Sequence, residues 1–369
     1  VLIPPGGLYI VDFAMARKPS GALRRGWTTG ACASAAAKAA YAALLCGRFP
    51  DPVGITLPGG QSPSFALARE RLGQAEAMAA IVKDAGDDPD VTHAALVVAT
   101  VRRAAPGTGV TFRAGAGVGT VTRPGLDLEI GEPAINPAPR RMMRAAIAAL
   151  AENHGDGGDV EIEISIPGGA GMARRTMNAR LGITGGLSIL GTTGIVVPFS
   201  CASWIAAIHA GIDVARAADL HHVAAATGSV SERAVQRLYA LPDHALLDMG
   251  DFAGGLLKYL RDHPIPELTI AGGFAKIAKL AAGHLDLHSG RSQVDYDWLA
   301  GLLRSLGADE ATAAAAGQAN TARHVLELAR QGGWPLAARV ARLAREAAVG
   351  VLNGGISVEV LIFDRQGNL

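Results

Sequence analysis

The sequence predicts two domains, an N-terminal mixed α+β domain at residues 1–195 and a C-terminal α/β domain with a parallel sheet at residues 196–369. Short β-type segments separated by turns dominate the first range, whereas strands and helices alternate regularly after Ser200. A glycine-rich stretch, Leu181–Ser200, lies between these two patterns. The length of 369 residues agrees with two domains, because single domains usually contain about 100–200 residues.

Composition and charge narrow the class of protein. With 49% hydrophobic residues, 18% charged residues and a net charge of +1, the chain is expected to be globular and not to bind nucleic acid. It has no stretch of about 18 uncharged apolar residues, and its first residues lack the pattern of a signal peptide. We therefore expect a cytoplasmic protein without membrane contact, and the sequence leaves homo-oligomerisation open.

Cysteine usage argues against a disulfide framework and against a structural zinc site. Cys32, Cys46 and Cys201 are scattered, and no two of them form a CxxC pair. We therefore expect a reducing compartment and no bound metal.

The N-terminal domain is predicted to combine two helices with many short strands. The first strand is expected at Leu8–Phe13, and the helices at Ala31–Leu45 and Ala138–Glu152. Asp159–Ile166 alternates acidic and apolar residues, which is typical of a strand with one buried face. The other predicted strands are Val53–Leu57, Ser64–Ala68, Ala79–Val82, Leu96–Val101, Val110–Ala114, Gly119–Thr122, Leu187–Leu190 and Ile195–Val197.

Two arginine pairs are candidates for binding anions. Arg24 and Arg25 precede Thr28 and Thr29 at the start of the first helix, where free N–H groups and the helix dipole favour negative charge. A capped helix packed against a sheet explains the same residues, and both interpretations can hold together. Arg140–Arg141 also suits carboxylates or phosphates, although solvated surface charge is the more frequent explanation for any single pair.

An acidic turn, Lys83–Asp90, follows one of the predicted strands. Its spacing does not match a calcium-binding loop, so a metal site is poorly supported. Composition favours a structural turn in which Asp-Pro starts a short helix at Asp90–Ala95.

The C-terminal domain repeats a strand, a glycine-containing turn and a helix. This pattern predicts a parallel sheet with ligands at the carboxyl ends of its strands. No GxGxxG motif follows any of these strands, so a dinucleotide site is not supported. Ser229 and Glu232 fit a capping box. The predicted strands are His221–Thr227, Ala245–Met249, Leu268–Ala271 and Ile356–Phe363, and the predicted helices are Cys201–Ala218, Glu232–Ala240, Phe252–Asp262 and Phe274–Ala282, with further helix across residues 295–350.

Six motifs are distributed along the chain: RRGWTTGACASAAAKAA (24–40), VKDAGDDPDVT (82–92), GVGTVTRPGLDLEIGEPAINPAPRR (117–141), LGITGGLSILGTTGIVVPFS (181–200), GDFAG (250–254) and AGGFAKIAKLAAG (271–283). Together they closely resemble the cobalt-precorrin-5B C1-methyltransferases of cobalamin biosynthesis. The resemblance implies that S-adenosylmethionine is used to methylate C1 of a tetrapyrrole substrate, a corrin precursor. It also implies that the α+β domain is joined to a Rossmann-like domain.

This chemistry needs alignment of two reactants and exclusion of water, because the methyl group of the donor is already activated. Arginines on separate elements suit a polycarboxylate substrate. The expected catalytic residues, in the acidic turn, are Asp84 and Asp87. The expected substrate-binding residues are Arg24, Arg25, Thr28, Thr29, Lys83, Arg140 and Arg141. The expected cofactor-binding residues are Gly185, Gly186, Gly191, Thr192, Thr193, Gly194, Gly228, Ser229, Asp248, Gly250, Asp251, Gly272 and Gly273.

Two other functions remain open at this point. A nicotinamide-linked oxidoreductase would share the parallel sheet, and a non-catalytic tetrapyrrole carrier would share the arginines. Whether the substrate contains cobalt is also open, because no residue has to ligate it. For the methyltransferase, we expect the reaction in a cleft between the domains near Gly191–Gly194, where Gly194→Val should disturb alignment more than binding.

Overall fold

The computed structural model describes residues 21–369, so the predicted strand at Leu8–Phe13 lies outside the described residues. The chain divides into two compact units after Cys201, here called unit 1 and unit 2. Unit 1 contains strands β1 (Gly26–Trp27), β2 (Val53–Gly54), β3 (Ser64–Phe65), β4 (Arg69–Leu72), β5 (Glu76–Val82), β6 (Leu96–Arg103), β7 (Val110–Ala114), β8 (Thr120–Val121), β9 (Val160–Ser165), β10 (Ile183–Thr184) and β11 (Ile195–Val196), and helices α1 (Thr29–Cys46), α2 (Pro137–His154) and α3 (Gly169–Ala173).

Unit 2 alternates strands with helices and then ends in a helical region before its last strand. The elements are α4 (Cys201–Ala217, which starts at the boundary), β12 (His222–Ala226), α5 (Ser229–Tyr239), β13 (Leu246–Asp248), α6 (Ala253–Asp262), β14 (Glu267–Gly272), α7 (Phe274–Ala281), α8 (Tyr296–Ser305), α9 (Glu310–Gly317), α10 (Ala322–Gln331), α11 (Leu336–Leu352) and β15 (Ser357–Ile362). Mixed α/β structure with several sheets, one of them parallel, is therefore confirmed.

The main sheet of unit 1 has five strands in the order β4-β5-β6-β9-β7, antiparallel except for the pair β7 and β9. β9 has the predicted alternation, because Val160, Ile162 and Ile164 are fully buried while Glu161 and Glu163 are partly exposed. α1 packs against this sheet and against α2. Alanine dominates α1, and its small side chains allow close approach from several sides.

Within the described residues, α1 is also the one helix long and apolar enough to pass for a membrane span. However, 78% of that window is buried inside the protein. This burial is what a core helix requires, and the short side chains of α1 account for its high mean hydropathy without a membrane.

The sheet of unit 2 is parallel, and its strand order is β13-β12-β14-β15. The first strand of this sheet along the chain, β12, thus lies between the second, β13, and the third, β14. Ala224 and Ala226 face α5, whereas Val223 and Ala225 face the core formed by α4, α6, α7 and α11. Helices therefore cover both faces, and the chain changes direction between β12 and β14. In open sheets of this kind, ligands bind outside the carboxyl ends of the strands at such a change.

The predicted helix at Asp90–Ala95 is wrong, because the structure has a turn there. The Asp90 carboxylate accepts a hydrogen bond from the backbone N–H of Thr92 at 2.7 Å and also contacts the side chain of Lys83. Ala94 then adopts a left-handed φ of 61°. Local side-chain bonding to the backbone competes with helix formation, and here it prevails.

Two smaller predictions also differ from the structure. Ser229 does not cap α5, because Gly228 is the N-cap. The hydroxyl of Ser231 donates a hydrogen bond to the carbonyl of Gly228 at 2.9 Å. The predicted strand Leu187–Leu190 contributes only isolated bridges, at Leu187 and Ile189. The alternation of apolar residues there reflects burial between loops of unit 1 rather than a continuous ladder.

Candidate functional site

Three separate sequence motifs come together in unit 1. β1 pairs with β11, and the backbone N–H of Trp27 donates to the carbonyl of Asp84 at 2.7 Å. The N–H of Thr28 donates to the carbonyl of Gly194 at 3.0 Å. Residues 24–30 therefore lie between residues 83–90 and residues 190–196, and we call these three segments the loop cluster. It contains most of the residues predicted to bind the substrate.

Close backbone packing in the loop cluster depends on glycine. A Cβ atom on Gly26 would lie 2.0 Å from the carbonyl carbon of Ala85, and one on Gly191 would lie 2.3 Å from Thr28. Gly194 has a φ of +83°, and its Cβ would lie 2.5 Å from a methyl group of Leu57. Because of these contacts, Gly194→Val would strain unit 1 itself, so this substitution does not separate alignment from folding.

The rest of the glycine-rich stretch is divided between packing and exposure. A Cβ on Gly186 would lie 2.3 Å from the backbone of Gly117, so this glycine also serves packing within unit 1. Gly185, Thr192 and Thr193 are exposed, and a side chain at Gly185 would meet no atom within 4 Å. Among the residues of this stretch that were predicted to bind the cofactor, these three are the exposed ones.

Arg24 and Asp84 form a bidentate ion pair at the edge of the loop cluster. The backbone N–H of Arg24 also donates to the carboxylate of Asp87 at 2.6 Å. Hydrogen bonds from the Arg24 guanidinium, and from the N–H of Gly86, lower the pKa of Asp84 to about 2. Asp84 is therefore ionised and paired at neutral pH.

We expect the Arg24–Asp84 pair to stabilise unit 1 in a pH-dependent way. The pKa of Asp84 is depressed to about 2, so its contribution is present above the unfolded value of about 3.9 and is lost as the pH falls towards 2. The effect should be small, because the side chains are 58% and 45% exposed. Asp84→Asn should flatten this part of the acid dependence of Tm, and an unchanged acid profile would show that the pair contributes nothing.

Lys83 faces the interior of unit 1. Its side chain is only 2% exposed, and its ammonium group contacts the carboxylate of Asp90 and the hydroxyl of Thr92. Burial alone would raise the pKa of Asp90, but the charge and hydrogen bond of Lys83 hold it below its usual value. Such a pair leaves an uncompensated buried charge when either partner is removed, so it supports the turn.

The predicted substrate arginines differ in availability. Arg140 is 12% exposed and bonds Glu132 at 2.7 Å and the carbonyl of Ile135 at 2.7 Å. By contrast, Arg25 and Arg141 are exposed, and neither side chain has an ion pair or hydrogen bond within the described part of the chain. Arg25 and Arg141 are therefore the members of this group whose guanidinium groups are free to bind an anion.

The N-terminus of α1 is partly satisfied by the protein. Thr28 is the N-cap, and its hydroxyl accepts from the N–H of Ala31 at 3.2 Å. The carbonyl of Leu190 accepts from the N–H of Gly30 at 3.1 Å and from the hydroxyl of Thr29 at 3.2 Å. Leu190 therefore occupies part of the place that an anion would take at this helix end.

The predicted residues of unit 2 lie together at the carboxyl ends of β12, β13 and β14. The N–H of Thr227 donates to the carbonyl of Ala271 at 2.9 Å, and the N–H of Gly250 donates to that of Ala226 at 3.0 Å. These bonds bring three strand ends to one edge, which we call the strand-end site. Its members are Thr227, Gly228, Ser229, Asp248, Gly250, Asp251, Gly272, Gly273 and Lys276.

Two glycines make the strand-end site open. A Cβ atom built on Gly228 or on Gly273 would meet no atom within 4 Å, and both residues are exposed. Gly272 differs, because its Cβ would lie 2.8 Å from the hydroxyl of Thr227. The space next to Gly228 and Gly273 is thus available to a ligand, while Gly272 allows the strands to pack.

Lys276 is a member of this site that the sequence analysis missed. Its ammonium group donates to the carbonyl of Thr227 at 2.8 Å. It also lies 3.1 Å from Oδ1 of Asp251, a charge contact that is not aligned as a hydrogen bond. The available signal was the position of Lys276 in the first turn of a helix that starts directly after Gly273.

Within residues 21–369, no group of three or more His, Cys, Asp or Glu side chains is placed to hold a metal ion. Cys32, Cys46 and Cys201 are free cysteines. The fold and the two clusters define a mixed α/β protein with an arginine-bearing loop cluster in one unit and an open strand-end site in the other.

Comparison with known proteins identifies the family. Residues 16–198 match the family model CbiD, and residues 286–369 match the model CbiD, C-terminal domain. The cobalt-precorrin-5B C(1)-methyltransferase of Paramagnetospirillum magneticum is 64% identical over 94% of this chain and 97% of the relative. The enzyme of the same name from Brucella anthropi is 60% identical over 94% of this chain and 95% of the relative. This chain belongs to the CbiD family, which confirms the resemblance seen in its motifs.

A solved structure also matches. The crystal structure of a cobalamin biosynthesis protein (cbiD) from Archaeoglobus fulgidus is 28% identical, and the match covers 73% of this chain and 84% of that chain with a TM-score of 0.40.

Proposed function

We propose that this chain is the C-methyltransferase that methylates C1 of cobalt-precorrin-5B with S-adenosylmethionine to give cobalt-precorrin-6A in cobalamin biosynthesis. The observation that carries this function is the identity of 58–64% to enzymes of that name over 94–95% of the chain. A match over 94–95% of the chain takes in residues of both units. The tetrapyrrole is a small-molecule substrate, and we propose the cytoplasm as the compartment.

Unit 2 is proposed to be the Rossmann-like, donor-binding part. Its parallel sheet changes direction between β12 and β14, and the open glycines Gly228 and Gly273 lie at that change. Asp248 and Asp251 lie at the end of β13, where an acidic side chain can hold ribose hydroxyls. When bound, S-adenosylmethionine supplies a methyl group on a sulfonium sulfur, which is activated for displacement by a nucleophilic carbon.

The role of this chain is then to orient the two reactants and to shield them from water. Gly228 and Gly273 let a ligand approach the backbone, and Lys276 holds the ends of β12 and β13 in place through Thr227 and Asp251. Alignment of two reactants supplies a large part of the rate in such a reaction. Gly185, Thr192 and Thr193 remain proposed contacts in unit 1.

The loop cluster, together with Arg141 in the first part of α2, is proposed to hold the carboxylates of the macrocycle. Arg25 and Arg141 have free guanidinium groups, whereas Arg24 and Arg140 already pair with Asp84 and Glu132. A carboxyl group with a pKa of about 2, as in Asp84, binds protons weakly at neutral pH. We therefore propose that Asp84 positions Arg24, and that Asp87, which is exposed, is the better placed of the two to take part in proton movement.

The test of this function is donor binding followed by turnover. Titration calorimetry with S-adenosylhomocysteine should show about one site per chain, and mass spectrometry should detect one added methyl group on cobalt-precorrin-5B. A tetrapyrrole carrier would bind the macrocycle without binding S-adenosylhomocysteine. A nicotinamide-linked oxidoreductase would instead bind NADH. Absence of both donor binding and methyl transfer would contradict the proposed function.

Arg25→Gln should weaken binding of the macrocycle and leave donor binding unchanged. A charge-assisted hydrogen bond contributes about 1.5–3 kcal/mol, so we expect affinity to fall about tenfold or more. Arg24→Gln is the matched comparison, because the guanidinium of Arg24 already pairs with Asp84 and should contribute less to binding. Equal effects of the two changes on macrocycle affinity, or a loss of affinity for S-adenosylhomocysteine, would show that Arg25 has been assigned the wrong role.

A further inference from the structure

Arg123, in the loop that follows β8, has a buried guanidinium nitrogen without a partner. Its Nη1 atom is shielded from solvent and forms no hydrogen bond within residues 21–369. Buried cations are almost always paired, because removal of a charge from water is costly unless an opposite charge replaces the lost hydration. The described residues of the protein do not supply such an opposite charge to this nitrogen of Arg123.

The fold builds the place in which Arg123 lies. Gly182 has a φ of +74°, and a Cβ there would lie 2.5 Å from Cβ, 2.6 Å from Cγ and 2.9 Å from Cδ of Arg123. The apolar stem of Arg123 therefore lies directly over the backbone of Gly182. Both chain segments are fixed, because β8 pairs with β10 and the N–H of Thr122 donates to the carbonyl of Gly182 at 2.7 Å.

Other partly buried arginines of unit 1 show what is missing at Arg123. Arg102 pairs with Glu76 at 2.9 Å, and Arg140 pairs with Glu132 at 2.7 Å. The segments next to Arg123 are instead apolar: Val121 and Ile183 are buried in one small hydrophobic cluster, with Leu126 and Leu181 packed against it. A carboxylate that reached Arg123 would therefore meet a guanidinium in surroundings that strengthen the attraction.

We propose that Arg123 is a carboxylate-binding subsite of unit 1 that takes an acidic side chain of the corrin substrate. This inference rests on the proposed function, because it is the methyltransferase reaction that brings a polycarboxylate macrocycle to the protein. The planar guanidinium binds a carboxylate with two parallel hydrogen bonds. Gly182 then has a defined purpose, since it makes room for the stem that delivers the charge.

Arg123→Met tests the subsite, because methionine keeps an apolar stem over Gly182 and removes the charge. Cobyrinic acid, a corrin with free carboxylates, should bind the variant about ten- to a hundredfold more weakly than it binds the wild type, as judged by absorbance titration. Cobinamide, a corrin whose side chains are amides, should bind both proteins equally. The Tm without ligand should stay the same or rise, because a partly buried guanidinium with an unpartnered, shielded nitrogen has been removed.

Arg71→Gln is the matched control. It changes the net charge equally, and Arg71 is an exposed residue of β4 that pairs with Glu76. A variant Arg123→Met that melts earlier and binds cobyrinic acid normally would overturn the subsite, and so would equal weakening by Arg71→Gln or no binding of cobyrinic acid to the wild type. Titration of the wild type with S-adenosylhomocysteine reports separately on the proposed function, because it does not involve Arg123.

Discussion

Replacement of Gly273 by leucine is expected to abolish binding of S-adenosylhomocysteine while unit 2 remains folded. Gly273 has φ −76° and ψ 153°, a conformation that any residue adopts, and a Cβ there would meet no protein atom within 4 Å. The new side chain would therefore enter the space proposed for the donor. We expect affinity to fall at least about a hundredfold, which corresponds to roughly 2.7 kcal/mol, with methyl transfer lost in parallel.

Gly301→Leu provides the matched control in the same unit. Gly301 lies on the exposed side of α8, and its Cβ would likewise meet no atom within 4 Å. This variant should bind S-adenosylhomocysteine as the wild type does. Normal donor binding by Gly273→Leu would contradict the strand-end site, and a large fall in Tm of that variant would show that the space next to Gly273 serves folding instead.

The second large effect concerns folding of unit 1. Gly26→Ala should lower the free energy of unfolding by about 3 kcal/mol or more, because the added methyl group would lie 2.0 Å from the backbone of Ala85. Neither neighbour can move easily, since the contact is with main-chain atoms and β1 is also paired with β11. Relief of the overlap requires separation of the acidic turn from β1, which also moves Arg25 and Asp84.

Gly54→Ala is a fair comparison for that change. Gly54 lies in β2, and its Cβ would lie 3.7 Å from the hydroxyl of Ser64, an ordinary contact distance. The denaturant concentrations at which the two variants unfold should therefore differ clearly, and that of Gly54→Ala should be close to the wild-type value. If Gly26→Ala unfolds at the same denaturant concentration as Gly54→Ala, the packing of the loop cluster described here is not what stabilises unit 1.

Local patterns in the sequence were sufficient for the main elements. The alternation of Asp159–Ile166 predicted β9 with one buried face, and the threonines before Ala31 predicted the start of α1. In the second half, glycine turns after apolar strands predicted the parallel sheet. These predictions succeeded because side-chain periodicity and turn chemistry act over a few residues.

Local reasoning failed where side chains compete for the backbone. Asp90 was expected to start a helix, yet its carboxylate bonds to Thr92 and to Lys83, which directly follows β5. Lys276 was overlooked because its partners, Thr227 and Asp251, follow other strands. The expected reaction between the two domains stays a prediction, as do the roles of Gly191 and Gly194 in it.

The sequence by itself determined the family and the mixed α/β structure with a parallel sheet, and it supplied the candidate residues for a site. Only the tertiary structure decided which of those side chains are free to bind a ligand and which are already paired within the protein. Arg24 and Arg25 are neighbours in the chain, but Arg24 is paired with Asp84 and Arg25 is free. Pairing of this kind joins residues that lie 60 positions apart, and it depends on burial and direction, which periodicity does not encode.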